Sequence, residues 1–268
     1  MSFPSILVRQ KFKRLRVTFL GSGTSQGVPV IGCKCAVCVS GDDKDKRLRS
    51  SVLIELDGTT LVIDTGPDFR QQMLRANVDK IDGVLFTHEH RDHIAGLDDI
   101  RAFNFIQQQP MDVYAEERVF RALNYEFPYI FAEKKYPGVP QLNVNLISNL
   151  EFHVNGIAIT PIRVMHYRLP VLGFRIGQFA YITDANFISE EEMEKLFGVK
   201  HLVINALRKE KHISHFSLEQ ALNLIRQLSP KRAYLTHVSH QMGLHAEVQK
   251  DLPPNVMLAF DGNFIDVM

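Results

Sequence analysis

The stretch that decides the fold is Thr87-His88-Glu89-His90-Arg91-Asp92-His93, which follows directly on the apolar run Val84-Leu85-Phe86. His88 and His90 stand two apart, so an extended backbone points both imidazoles to one side. Asp92 and His93 come next, where a turn brings them beside the first pair. Packing does not explain three imidazoles and a carboxylate within six positions. Neutral imidazole and carboxylate are ligands for zinc, manganese or iron. Four residues of one short loop do not complete two coordination spheres, so further donors are expected at other strand ends on the same rim. Three residues fit: His166 beyond the strand pattern at 157–164, Asp184 beyond Tyr181-Ile182-Thr183, and His237 beyond Tyr234-Leu235-Thr236. Each lies at the C-terminal end of an apolar run, where α/β sheets place their sites. His153 and His201 sit in or beside strand patterns without such partners and read as structural.

Working outward, apolar patterning predicts strands over 16–20, 51–56, 60–63, 82–87, 157–164, 172–176, 179–183, 202–206 and 232–236. Asp57-Gly58 is a hairpin signal between the second and third of these. Helices are expected over 67–76, 116–126 and 217–228, with another opened by a capping box at Ser189-Glu190-Glu191-Glu192. Residues 102–149 are the least regular, and are expected to shape the wall of a pocket. Strands and helices mix without a linker, repeat or low-complexity tract, which predicts one α/β domain spanning 1–268.

Composition narrows the function. Thirty-one Lys+Arg balance thirty Asp+Glu in 268 residues, so no global basic surface marks nucleic acid or an anionic membrane as partner. No apolar run is long enough to span a bilayer. MSFPSILV is too short for a secretory signal and its basic residues follow it, so a cytoplasmic location is expected. The basic residues Arg9, Lys11, Lys13, Arg14 and Arg16 read as a solvated edge strand. The glycines of Gly21-Ser22-Gly23-Thr24-Ser25-Gln26-Gly27 are expected to let the backbone pass close to the metal site. This turn lacks the Lys-Ser/Thr of a phosphate-binding loop.

All three cysteines, Cys33, Cys35 and Cys38, fall within six positions. An odd count in a reducing compartment argues against a disulfide framework. C-x-C-x-x-C reads instead as three thiolate ligands of a tetrahedral metal that needs a fourth ligand from elsewhere.

With these residues in place, the sequence resembles the metallo-β-lactamase-fold hydrolases. The resemblance rests on His88-x-His90-x-Asp92-His93 with His166, Asp184 and His237 in order. It implies a four-layer αβ/βα sandwich. It also implies two divalent catalytic cations, zinc, manganese or similar: His88, His90 and His166 on one, Asp92, His93 and His237 on the other, Asp184 bridging. Asp64, in Val62-Ile63-Asp64-Thr65-Gly66, would support the ligand loop from behind. The Gly21–Pro29 turn followed by the cysteine cluster is similar to the PhnP family, phosphodiesterases that open cyclic ribose phosphates. That resemblance implies a separate structural zinc on Cys33, Cys35, Cys38 and His240, with His245 as the competing fourth ligand. The cluster also occurs in a PqqB-like branch. His215 matches a histidine that faces the substrate phosphate, with His212 as the alternative. Asp92 and His215 are the candidate catalytic side chains, Asp92 as a ligand first. The expected function is hydrolysis of a small phosphodiester by a metal-bridging hydroxide, the rivals being a tRNA 3′-processing nuclease, an ester or lactone hydrolase, and a metal-binding module without turnover. A homodimer is implied by resemblance alone.

Overall fold

The computed structural model describes residues 15–267. MSFPSILV and the basic residues Arg9, Lys11, Lys13 and Arg14 lie outside them. Six strands enter the first sheet in chain order: β1 (Leu15–Gly21), β2 (Ser51–Leu56), β3 (Thr59–Ile63), β4 (Gly83–Leu85), β5 (Met111–Ala115) and β6 (Leu142–Leu146). β1 to β3 pair antiparallel, with the turn at Asp57-Gly58, and β3 to β6 pair parallel. The second sheet takes β7 (Phe152–Val154), β8 (Ile157–His166), β9 (Leu169–Ile176), β10 (Phe179–Ile182), β11 (Phe187–Ile188), β12 (His201–Asn205), β13 (Arg232–Thr236) and β14 (Val256–Leu258). Its order is β11-β8-β9-β10-β12-β13-β14, with β7 paired to β8 off that path. β15 (Phe264–Val267) then returns to the first sheet beside β1.

Helices α1 (Phe69–Ala76), α2 (Arg91–Ile94), α3 (Arg101–Gln107), α4 (Glu117–Glu126) and α5 (Pro128–Phe131) connect strands of the first sheet. Helices α6 (Glu190–Glu194), α7 (Leu218–Leu228) and α8 (His245–Asp251) connect strands of the second. Three apolar cores separate the four layers. One joins the sheets through Phe19, Ile54, Phe174, Tyr181 and Val203. A second packs Leu20, Val62 and Val84 against Phe69, Phe103 and Leu123 on the helices. The third packs Ile182, Ile204 and Leu235 against Ile225 and Val248. The central strands are buried on both faces: in β10, Phe179 and Tyr181 face the other sheet while Ala180 and Ile182 face the helices. Such strands read as continuous apolar runs. This is the αβ/βα sandwich the motif implied. Among the described residues, no helix is long and apolar enough to cross a membrane.

Several local expectations change. α1 begins at Phe69, with Asp68 at the N-cap position but its carboxylate bonded to Arg49 instead of capping the helix. Ser189 does cap α6, accepting from Glu192 N, but the reciprocal half of the box is missing. The Glu192 carboxylate accepts from Arg163 N and Asn149 Nδ2 instead. α7 carries the complete box, between Ser217 and Gln220. β1 is not an edge, since β15 covers it and Asp266 pairs with Arg16 at 3.0 Å. Within 102–149, β5 and β6 extend the first sheet, and 132–141 is the longest stretch without helix or strand. Glycine is required at 21 by the backbone just before β2, not by the metal site: a Cβ there would sit 1.9 Å from Arg49 O.

Candidate metal centre

The C-terminal ends of β3, β4, β10 and β13 emerge on one rim, joined there by the end of β8. Each delivers a polar side chain: Asp64, the 88–93 loop, Asp184, His237 and His166. Asp64, Asp184 and His237 adopt left-handed backbone, with φ of 65°, 53° and 55°. This conformation turns the chain off the strand axis at the rim, and Asp and His tolerate it better than most residues. In the 88–93 loop, α2 swings Asp92 and His93 back toward His88, whose ring centroid lies 4.2 Å from that of His93. Gly66 lets this turn sit down on the strand end, because a Cβ there would meet Asp92 O at 2.2 Å.

Two convergent donor groups result. In one, single ligand atoms of Asp92, His93, Asp184 and His237 all lie within 4.8 Å of one another; in the other, those of His166, Asp184 and His215 do. Asp184 belongs to both. Its Oδ2 is 3.2 Å from His93 Nε2 and 3.2 Å from His237 Nδ1, and its Oδ1 is 3.2 Å from His215 Nε2. His88 Nε2 and His90 Nδ1 are 3.1 Å apart, with the His166 ring 5.9 and 5.1 Å from theirs. The structure therefore brings all seven expected ligands to one place. It places His215 among the donors instead of standing off from them, and puts His212 behind it, with Nδ1 3.1 Å from His215 Nδ1.

The residues fit divalent cations. His93 Nε2 is buried and 3.1 Å from Asp92 Oδ2, yet it makes no aligned hydrogen bond. Its other nitrogen is fixed by Asp64, whose carboxylate lies 2.7 Å from His93 Nδ1 and accepts from Thr87 N and Thr87 Oγ1 at 2.8 Å each. Burial pushes His88 well below the ordinary 6.5, lowers His166, and holds His237 at about 4, so these imidazoles are neutral at pH 7, the form that binds metal. Burial would lower His93 too, but Asp92, Asp184 and Asp64 outweigh it and raise it well above 6.5. Burial would raise Asp184, but His237 and His93 hold it well below the usual carboxylate range. Three carboxylates around one imidazolium leave excess negative charge, the complement of a bound cation.

Serine and threonine hydroxyls that the sequence reading passed over brace the donors. Thr87 Oγ1 is 2.9 Å from His88 Nδ1, Thr183 Oγ1 donates to Asp184 Oδ2 at 2.5 Å, and Ser50 Oγ is 3.2 Å from His237 Nδ1. The sequence held a signal for two of them: Thr directly precedes His88 and Asp184, whereas the Thr236 hydroxyl before His237 makes no hydrogen bond and Ser50 takes its place. Of the histidines read as structural, His201 stacks on Tyr234, and His153 is exposed on β7.

The cysteine cluster closes on the last strand's loop. Sγ of Cys33, Cys35 and Cys38 lie 3.3, 3.4 and 3.5 Å from His240 Nδ1. A tetrahedral zinc with Zn–S near 2.3 Å and Zn–N near 2.0 Å has S···N edges of about 3.5 Å. His245 is not the fourth donor: its Nδ1 faces Arg47 Nη2 at 3.2 Å, and its backbone N–H bonds Asp45. The cluster reaches the other centre through the Gly-rich turn, where Thr24 N donates to Val238 O and Thr24 Oγ1 lies 3.4 Å from His237 Nε2.

Comparison with known proteins agrees with this geometry. Residues 59–238 match a family model described as the beta-lactamase superfamily domain. A solved structure of a "new diphosphatase from the PhnP family" is 39% identical, with a TM-score of 0.90 over 96% of this chain and 98% of that one. Zinc-bound PqqB from Methylobacterium extorquens, at 20% identity and a TM-score of 0.73 over 94% of this chain and 100% of that one, shares the fold. Among curated proteins, an octanoyltransferase of Porphyromonas gingivalis is 43% identical over 92% of this chain and 51% of its own length. Coenzyme PQQ synthesis protein B of Methylorubrum populi is 31% identical over 50% of this chain and 52% of its own length. The chain thus spans about half the length of these curated relatives. With the superfamily model matching most of the chain and a near full-length PhnP relative at 39% identity, the chain belongs to the beta-lactamase superfamily and, within it, to the PhnP family.

Proposed function

We propose that the chain is a metal-dependent hydrolase of a phosphodiester or diphosphate bond in a small substrate. One observation carries this reading: two convergent donor groups that share Asp184, in a chain 39% identical to a PhnP-family diphosphatase. His88, His90 and His166 would hold one cation, Asp92, His93 and His237 another, with Asp184 common to both. Bound there, divalent cations would acidify a water and offset charge on the phosphoryl oxygens. The chain's own residues do the rest. Asp64 holds the His93 Nδ1 proton, so that the Nε2 proton is the one a cation would displace. Asp92 serves as a ligand first. His215 is held by His212 and by Ser214 Oγ, 3.1 Å away, and can carry a proton to the leaving oxygen. Tyr167, half exposed directly after His166, has the Arg168 guanidinium 5.3 Å from its ring centroid, offering an aromatic face and a positive charge to a phosphorylated substrate. Cys33, Cys35, Cys38 and His240 would hold a structural zinc. These unpaired thiols fit a reducing compartment such as the cytoplasm.

The name octanoyltransferase belongs to a protein about twice this length and does not enter the proposal. A short-form tRNase Z at 18% identity and a TM-score of 0.65 shares the fold, which keeps RNA among the substrates to test. The experiment is a panel: bis(p-nitrophenyl) phosphate, a ribose cyclic phosphate, a nucleoside diphosphate ester, a precursor tRNA and an aliphatic lactone, each with added manganese, nickel or zinc. Chelator-sensitive hydrolysis of the small phosphates is expected. Turnover of the lactone or the tRNA alone would overturn the proposal.

A further inference from the structure

His88 and His90 hang from the first sheet, on the loop after β4, whereas His166 ends β8 in the second. Something must set the spacing of these imidazoles across the two sheets. One tie is a backbone bond from Leu172 N to Thr87 O at 3.1 Å. The other is a side chain. Arg118, the second residue of α4, places Nη1 2.6 Å from both oxygens of Glu89, the residue between His88 and His90. Its Nη2 donates to Pro170 O on β9, beside the His166–Leu169 pair that closes the β8–β9 hairpin.

The tie continues. Glu116 Oε2 lies 3.7 Å from Arg118 Nε, and the Glu116 carboxylate takes both terminal nitrogens of Arg163, at 2.6 and 2.5 Å. Arg163 lies on β8, three residues before His166. Glu89, Arg118, Glu116 and Arg163 thus form a row of alternating charge from the His88–His90 loop to the His166 strand. All four side chains are largely shielded, so water screens these pairs less than surface ones. Arg118 Nε has no aligned hydrogen bond, so the grip of this side chain lies in its two terminal nitrogens, one on each sheet's contribution.

We propose that Arg118 is a positioning residue that sets the distance between the imidazoles supplied by the two sheets, and through it the affinity of the centre for its cation on that side. The inference rests on the two-cation reading above. Only a planar fork reaches Glu89 and Pro170 O together; a lysine point charge satisfies one of them. Residues bonded directly to a metal ligand typically change metal affinity 10–100-fold when replaced, and Arg118, which grips the neighbours of ligands on both sides, is expected to act within that range.

The test uses the full chain, wild type, Arg118→Met and Arg118→Lys. Zinc affinity is measured by competition with a chelating indicator, and the visible spectrum of the cobalt-loaded protein reports ligand geometry. The zinc of the cysteine cluster serves as an internal control for folding. Arg118→Met is expected to bind one centre cation 10–100-fold more weakly and to change the cobalt spectrum, while retaining the cysteine-site zinc. Arg118→Lys should fall between. Wild-type affinity for both centre cations in Arg118→Met would overturn the inference. Should that variant unfold, Glu89→Ala decides: it leaves the Arg118 contacts to Pro170 and Glu116 in place, and unchanged zinc affinity there would overturn the inference equally. Failure of the wild-type centre to take two cations would instead overturn the two-cation reading.

Discussion

Asp64 is fully buried behind His93 and is not expected to bind a cation directly, yet Asp64→Asn should disable the centre. The carboxylate accepts three hydrogen bonds, from Thr87 N, Thr87 Oγ1 and the proton on His93 Nδ1. An asparagine of equal size has one acceptor oxygen, and the Thr87 N–H claims it. The amide NH2 then faces His93 Nδ1 at the 2.7 Å now spanned by a carboxylate oxygen. Two donors cannot share that distance, so the imidazole must give up its Nδ1 proton and keep the one on Nε2, the atom aimed at Asp92 and Asp184. A protonated Nε2 cannot bind a cation. Losing such an orienting partner reduces metal affinity about 10–100-fold, or roughly 1.4–2.8 kcal/mol. Indicator competition with zinc, run beside hydrolysis of bis(p-nitrophenyl) phosphate, measures both consequences. Circular dichroism checks that the fold persists. An Asp64→Asn protein with wild-type zinc affinity and wild-type turnover would refute the reasoning that His93 is a ligand held in one tautomer by Asp64.

Asp184→Asn should be the most damaging single change at the centre, because it removes the negative charge common to both donor groups. Turnover should fall about 100–1,000-fold, the scale typical of lost electrostatic stabilisation, with cation content dropping in elemental analysis. Cys35→Ser should remove one metal per chain and lower the melting temperature, since structural zinc contributes directly to folding; unchanged zinc content would contradict the four-ligand cluster. Stability should also depend on pH through His245, which burial, then the neighbouring Arg47 charge, holds at about 4. A depressed imidazole stabilises the fold fully above 6.5, and that contribution is lost as pH falls through 6.5 toward 4. The limit is about 3 kcal/mol at 1.36 kcal/mol per unit. Urea midpoints at pH 7 and pH 5 should therefore differ more for wild type than for His245→Gln.

The site was legible because its chemistry is dense and local. His88, His90, Asp92 and His93 lie in one loop, and His166, Asp184 and His237 each follow an apolar run, so position along the chain stood in for position on the rim. The α/β sandwich followed from the same strands. What escaped was contact between distant segments. β15 covers β1 through pairing across some 250 residues, so Arg16 read as an edge residue although its partner is Asp266. β6 was lost in 102–149 because it alternates partly exposed residues without strong apolar character, whereas β5 is a short buried run that the irregular stretches around it concealed. Half of the box at Ser189 dissolved because Glu192 had a better use, holding Arg163 N and Asn149. Arg118 offered no pattern at all, since its meaning comes from two partners on different sheets.

The left-handed backbone at residues 64, 184 and 237 also limits how this protein can be dissected by mutagenesis. A β-branched replacement at any of these points carries a conformational penalty of order 1–3 kcal/mol before any chemistry is touched. Inactivation by valine or isoleucine there reports torsional distress together with a missing functional group, and the two cannot be separated. Asparagine, at home in that region of backbone space, isolates the second from the first, so a saturation screen at these three codons should be scored against asparagine as its baseline.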